Sequence, residues 1–220
     1  MSASPPALPR AALFDWDNTL VDTWPVIHEA MNTTLAAMGH PQWTLAETRQ
    51  RVRLALREAF PLLFGEGGGE ARDIFYTRFR QIHIERLEVR PGAEDLLATM
   101  AARGIHLGVV SNKMGEHLRA EARHLGWTGY FRRIVGATDA RRDKPAIEPV
   151  GLALAGSGVA PGREVWFIGD TEVDLECGHN AGCIKVLVRE TAPNDGEFKD
   201  FPPDMYFADC YQLKTLVSQL

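Results

Sequence analysis

The sequence predicts an α/β fold: a doubly wound parallel sheet, interrupted near its start by an all-helical insertion. Three observations carry that prediction. Residues 11–14 form a short apolar run, as expected of a strand buried on both faces. Beyond residue 90, further apolar runs (105–110, 134–135, 165–168 and 184–188) alternate with helical stretches, which is the pattern of βαβ units. Residues 22–88, between these parts, show helical spacing and no convincing strand.

Two hundred and twenty residues suit one large domain, or a core with a smaller inserted unit. A formal net charge of −5 argues against a general nucleic-acid binder, which would carry a basic face. No apolar run reaches the length of a membrane span, and residues 1–10 lack the apolar stretch of a signal peptide. The three cysteines, Cys177, Cys183 and Cys210, are odd in number and show no C-x-x-C spacing, so reduced, packed thiols are expected. The expected compartment is the cytoplasm.

Taken in order, the strand 11–14 ends on Asp15, Trp16, Asp17, Asn18 and Thr19. A helix over 24–38 follows, stopped by Gly39. Thr44 and Glu47 have the spacing of a capping box opening a second helix. A third helix over 54–64 is expected to bend or restart at Pro61. Residues 67–69, three glycines, read as a flexible break, and a fourth helix as 70–87. Pro91 and Gly92 open a helix to 103. The strand 105–110 then ends on Ser111, Asn112 and Lys113, and a helix covers 115–125. Lys144-Pro145 precedes a helical stretch over 147–156. The strand 165–168 ends in Gly169, Asp170, Thr171, Glu172, Val173 and Asp174. A helix to 181, the strand 184–188, residues 206–207 and an amphipathic helix complete a Rossmann-like core.

The polar signatures fall just past strand ends, where open parallel sheets bind ligands. Asp15 and Asp17, two apart in extended chain, point into the same space. Carboxylates so close call for a cation, and a hard divalent ion such as Mg²⁺ fits oxygen donors. The same residues would also serve as an Asx turn capping the next helix. Ser111 is equally readable as a helix N-cap and Lys144 as a solvated loop charge. Asp170 and Asp174, one helical turn apart, could share a solvated face.

Together, Asp15-Trp16-Asp17-Asn18-Thr19, Ser111-Asn112, Lys144-Pro145 and Gly169-Asp170-Thr171 with Asp174 resemble, in order, the four motifs of the haloacid dehalogenase-like (HAD) superfamily of phosphohydrolases. The run from Arg90-Pro91-Gly92 to Ser111-Asn112-Lys113 looks most like the phosphoglycolate phosphatase branch. The resemblance implies a HAD-like core domain over 1–21 and 89–220 and a small α-helical cap over 22–88. Asn18 stands where the family usually has Gly, a substitution that a left-handed turn tolerates. Arg53 stands where that branch has Gly.

The resemblance implies a Mg²⁺-dependent phosphatase acting on a small-molecule phosphate ester. Asp15 would be the nucleophile, giving an aspartyl-phosphate, and Asp17 the general acid and base. Ser111 and Lys144 would stabilise the transferring phosphoryl group. The Asp15 carboxylate, the Asp17 main-chain carbonyl and Asp170 would hold Mg²⁺, with Asp174 in support. Thr19, Asn112, Arg53 and Arg57 are the candidate substrate-binding residues, the two arginines favouring an anionic leaving group. A dehalogenase would not need Asp17, and a phosphonate hydrolase would need a cap lysine, of which residues 22–90 have none. A phosphomutase uses the same residues and stays open. A receiver-type signalling domain would need no helical insertion and would draw its acids from different strands. The intact acidic set also speaks against a catalytically dead binding module.

Overall fold

The structure is a computed structural model that describes residues 7–52 and 56–220. The chain divides into two compact units, Met1–Val21 with Val89–Leu220, and Asp22–Glu88.

The larger unit is built on β1 (Ala11–Phe14), whose four side chains are wholly buried. Apolar residues on both faces leave β1 no solvated side, so it takes the centre of the sheet. It pairs in parallel with β4 (His106–Met114) on one side and with β6 (Val165–Gly169) on the other. With β5 (Arg133–Ala137), β7 (Ile184–Val188) and β8 (Met205–Phe207), the order is β5-β4-β1-β6-β7-β8. The chain thus builds outward from β1 in one direction, then returns to build in the other. The carboxyl ends of β1 and β6 flank that reversal, where a doubly wound sheet opens a crevice.

Helices α5 (Ala93–Ala102), α6 (Gly115–His124), α7 (Glu148–Leu154), α8 (Glu172–Asn180) and α9 (Cys210–Gln219) join or follow these strands. Leu13, Val110, Val150, Phe167 and Cys177 belong to one core cluster, which packs β1, β4 and β6 against α7 and α8. All three cysteines are buried free thiols.

One strand runs further than the sequence suggested. β4 does not stop at Val110 but continues through Ser111, Asn112 and Lys113 to Met114. Its register against β5 shifts between Val110 and Met114. Gly136 makes the close approach possible, since a Cβ there would lie 2.5 Å from the Cα of Gly115 and 2.8 Å from the Lys113 carbonyl oxygen. The extension carries alternation with it: Ser111 and Lys113 are buried, Asn112 and Met114 exposed.

In the second unit, α1 (Trp24–Ala37), α2 (Leu45–Arg51), α3 (Leu56–Phe64) and α4 (Gly68–Ile82) surround an apolar centre of Val26, Ala30, Met31, Phe60, Phe75 and Phe79. Thr44 and Glu47 form the capping box that their spacing promised. Pro61 sits inside α3 without ending it. The glycine run is not a flexible break. It closes a 3₁₀ turn (Gly65–Gly67) and opens α4, where a Cβ on Gly68 would come within 3.2 Å of the Phe60 and Pro61 backbone. α4 also ends at Ile82, earlier than the spacing suggested. The chain passes between the units at β2 (Val21–Asp22) and β3 (Glu88–Val89), a two-residue pair that the sequence did not reveal. Among the described residues no helix is long and apolar enough to cross a membrane.

Candidate active site

The Asp15 backbone N–H still pairs with the Ile168 carbonyl, so the carboxylate leaves the sheet from a fixed strand end. After it the chain turns sharply. Asn18 adopts φ 64°, the left-handed conformation that Asn tolerates, and its N–H and those of Leu20 and Val21 close the loop on Val21 and Trp16 carbonyls. The Trp16 ring is wholly buried, edge-on to Trp127 and Phe131.

Lys144 lies in the loop after β5, and its backbone is clamped by the Asn112 amide. Lys144 N donates to Asn112 Oδ1 at 2.9 Å, and Asn112 Nδ2 donates to the Lys144 carbonyl at 3.1 Å. The ammonium then reaches Asp15 Oδ1 and Asp174 Oδ1, both at 2.6 Å. Asp174, in the first turn of α8, accepts through Oδ2 from Thr171 N and Thr171 Oγ1 at 3.0 and 2.7 Å. Gly169 is required for this packing: a Cβ would sit 2.4 Å from the Cβ of Asp174. Asp170, past the end of β6, accepts from Thr19 Oγ1 at 3.2 Å.

Asp15, Asp170 and Asp174 each offer a carboxylate oxygen within 4.8 Å of the others. Burial, with repulsion from Asp174 and Asp17, pushes the Asp15 carboxyl up to about 7 despite the opposing charge of Lys144. Burial, then Asp174 and Asp15, push Asp170 well above the usual carboxylate range. For Lys144, burial works against the ammonium, but Asp15 and Asp174 outweigh it and its pKa rises. Fully ionised, three carboxylates against this one ammonium would leave two negative charges, the deficit that a divalent cation matches. All donors are hard oxygens, so the residues fit Mg²⁺. Both Asp174 oxygens are engaged by protein donors, which leaves Asp15 and Asp170 as the better direct ligands.

The other candidates distribute as follows. Asp17 Oδ1 accepts from Lys113 Nζ at 2.8 Å. Ser111 is buried on β4, and its Oγ accepts from Lys113 N at 3.3 Å. Thr19 and Asn112, expected to touch substrate, spend the contacts just given on Asp170 and Lys144. Arg53 lies outside the described residues, and Arg57 is described only as part of α3.

Sequence reasoning passed over Lys113 and Glu121. The Lys113 ammonium bridges Asp17 and Glu121 Oε2, the latter at 2.7 Å. Glu121 is wholly buried on α6 and also accepts from Trp16 Nε1 at 2.7 Å. Burial disfavours the Lys113 ammonium, yet the charges of Asp17 and Glu121 prevail and raise its pKa. A signal existed: Glu121 shares the spacing of buried Leu118 and Ala122, an acid on the apolar face of its helix.

A family model described as haloacid dehalogenase-like hydrolase matches residues 12–188. The chain is 34% identical over 187 residues to an N-acetylmuramic acid 6-phosphate phosphatase of Pseudomonas aeruginosa, covering 82% of this chain and 81% of that one. It is 28% identical over 207 residues to a phosphoglycolate phosphatase of Rhodobacter capsulatus, covering 87% of this chain and 93% of the relative. A haloacid dehalogenase-like family hydrolase of Streptococcus pneumoniae shares the fold, with a TM-score of 0.83 at 22% identity over 94% of this chain and 97% of that one. The family model spans most of the chain, including the stretch that carries the acids and lysine gathered above, and the chain belongs to the haloacid dehalogenase-like hydrolases.

Proposed function

We propose that the protein is a Mg²⁺-dependent phosphomonoester hydrolase that works through a phosphorylated Asp15. The observation that carries the reading is the placement of Asp15. It stands at the carboxyl end of the central strand, with Oδ1 held by Lys144 and with Asp170 and Asp174 alongside. A carboxylate so oriented presents its second oxygen to an incoming phosphorus atom. Phosphoryl transfer asks the protein mainly for positioning and fixed charge, and a buried lysine beside the nucleophile supplies both.

The roles then divide. Asp15 attacks phosphorus as the bond to the leaving alkoxide breaks, and Asp17 gives that alkoxide its proton. Asp17 later takes a proton from the water that attacks the Asp15 phosphoryl group, which frees the Asp15 carboxylate and returns Asp17 to its protonated form. Ser111 donates a hydrogen bond from its hydroxyl to a phosphoryl oxygen. Asp15, Asp170 and the Asp17 main-chain carbonyl, with Asp174 in support, would hold Mg²⁺, which would supply the positive charge that lets a phosphate dianion approach carboxylates. Residues 22–88 serve as the helical cap that selects the leaving group. The relatives named as phosphatases support a small phosphorylated metabolite as substrate.

The test is phosphate release from p-nitrophenyl phosphate in Mg²⁺. Activity that disappears in Asp15→Asn and in EDTA supports the reading. Turnover by Asp15→Asn close to that of the wild type would end the covalent mechanism.

A further inference from the structure

The most demanding burial outside the acidic cluster is a pair of charges, Glu121 and Lys113. Glu121 is 0% exposed and Lys113 9% exposed. Withdrawing two ions from water carries a penalty of about several kcal/mol each, offset only when geometry and hydrogen bonding are good. Here they are good, and the contacts run in one direction. The Trp16 indole N–H and the Lys113 ammonium both donate to Glu121 Oε2 at 2.7 Å, and Lys113 continues to Asp17 Oδ1 at 2.8 Å.

Each member is fixed by something other than its charge. Trp16 is wedged against Trp127 and Phe131, so its N–H points one way. Glu121 rides on α6, beside buried Leu118 and Ala122. Lys113 stands on the extended end of β4, held by the Gly136–Gly115 approach. Trp16 also lies between Asp15 and Asp17 in the chain. Glu121 therefore grips the catalytic loop twice, through the Trp16 indole from behind and through Lys113 from the Asp17 side.

We propose that Lys113 and Glu121 are positioning residues for Asp17: Glu121 aims the Lys113 ammonium, which holds the Asp17 carboxyl by Oδ1 in the orientation in which it exchanges protons with leaving group and water. The proposal rests on the reading of Asp17 as general acid. Lys113 is bonded to Asp17 and not to Asp15, so its loss should act through proton transfer rather than nucleophilic attack.

The experiment compares kcat/KM for p-nitrophenyl phosphate and phenyl phosphate, whose leaving groups differ in basicity. This ratio reports steps up to formation of the phosphorylated enzyme, so it isolates the acid role from the later base role. The variant Lys113→Met with Glu121→Gln removes both buried charges together and leaves no lone ion. We expect its kcat/KM for phenyl phosphate to fall about 10- to 100-fold further than for p-nitrophenyl phosphate. Glu121→Gln alone keeps an acceptor for Trp16 and should show a smaller loss of the same kind, which decides the matter if the double variant does not fold. Added to Asp17→Asn, the pair of changes should cost little more, because both act on one proton transfer. Equal loss for both esters, or losses that add fully to those of Asp17→Asn, would overturn the proposal. If Asp17→Asn itself shows no leaving-group dependence, the fault lies with the acid assignment, whereas dependence in Asp17→Asn without it in the pair variant rejects this inference alone.

Discussion

At the scale of single residues, three acids within 4.8 Å of one another, two buried and one half-buried, define the chemistry, and they oppose one another until a cation joins them. Asp15→Asn keeps the shape and removes one of the charges. The metal-free variant should therefore melt at or above the wild-type temperature while its phosphatase activity is lost. Mg²⁺ at about 100 times its dissociation constant should stabilise the wild type by about 2.7 kcal/mol, and the variant by much less. Thermal melts with and without EDTA check this, and equal Mg²⁺ stabilisation of the two proteins would remove Asp15 from the metal site. Ca²⁺ should occupy the site yet inhibit, since its larger and looser coordination disturbs in-line geometry. The acids and Lys144 were legible in the sequence because each follows a strand end in a fixed order. Thr19 and Asn112 were legible only as members of motifs. That they brace Asp170 and the Lys144 backbone depends on β1, β4 and β6 being neighbours, which no local pattern encodes. Glu121 was hidden for the same reason: its partners are 8 and 105 positions away in the chain, Lys113 and Trp16 respectively.

At the scale of elements, the junctions between strands and helices hold the side chains in place. At the β6–α8 junction, Gly169→Ala would drive a methyl group into Asp174. Overpacking of this kind costs about 1–3 kcal/mol, and displacing Asp174 also loosens Lys144. The expected outcome is a lowered melting temperature with kcat reduced about 100-fold, read in parallel melts and assays. Just past β5, Asp139 Oδ2 accepts from Gly136 N at 2.8 Å and, from α6, from Arg119 Nη1 at 2.6 Å. Burial alone would raise its pKa, but Arg119 and the Gly136 N–H outweigh burial and hold it below 3.8. A depressed carboxylate stabilises the fold above its unfolded pKa, and the benefit fades as pH falls through the folded value. Solvent screens so exposed a pair, so Asp139→Asn should destabilise by about 0.5–1 kcal/mol at neutral pH, with the difference narrowing below about pH 4. Urea denaturation across that range is the check, and a gap that widens in acid would contradict it. Strand positions were readable from apolar runs. The continuation of β4 through Ser111-Asn112-Lys113 was not, because its polar residues look like a loop until β5 and Gly136 are seen beside them. The glycines at 67–69 misled in the opposite sense, since at Gly67 and Gly68 the lack of a side chain serves close packing, against Met38 and the Phe60–Pro61 backbone.

At the scale of the whole molecule, on the proposed mechanism the core residues address the phosphoryl group and the ester oxygen, so choice among substrates would come from elsewhere in the chain. Residues 22–88 are the candidate source, and they carry arginines that differ in what already occupies them. The Arg49 guanidinium lies 5.8 Å from the Trp24 ring centroid. Arg51 lies 4.9 Å from that of Trp43 and reaches Glu47 at 3.4 Å. Both are engaged within their own unit. Arg53, outside the described residues, and Arg57, on α3, remain the candidates for meeting an anionic leaving group. A guanidinium binds a carboxylate or second phosphate through two parallel hydrogen bonds, a geometry that lysine cannot match. Charged hydrogen bonds contribute about 1.5–3 kcal/mol, which corresponds to about a 10- to 100-fold change in binding. Arg57→Ala and Arg53→Ala should therefore raise KM for phosphorylated carboxylic acids by that factor, and far less for p-nitrophenyl phosphate, whose leaving group is uncharged apart from its phosphate. Steady-state kinetics on a panel of neutral and acidic phosphate esters reads the difference directly. Equal changes across the panel in both variants would return these arginines to the role of surface charge and place specificity on other residues.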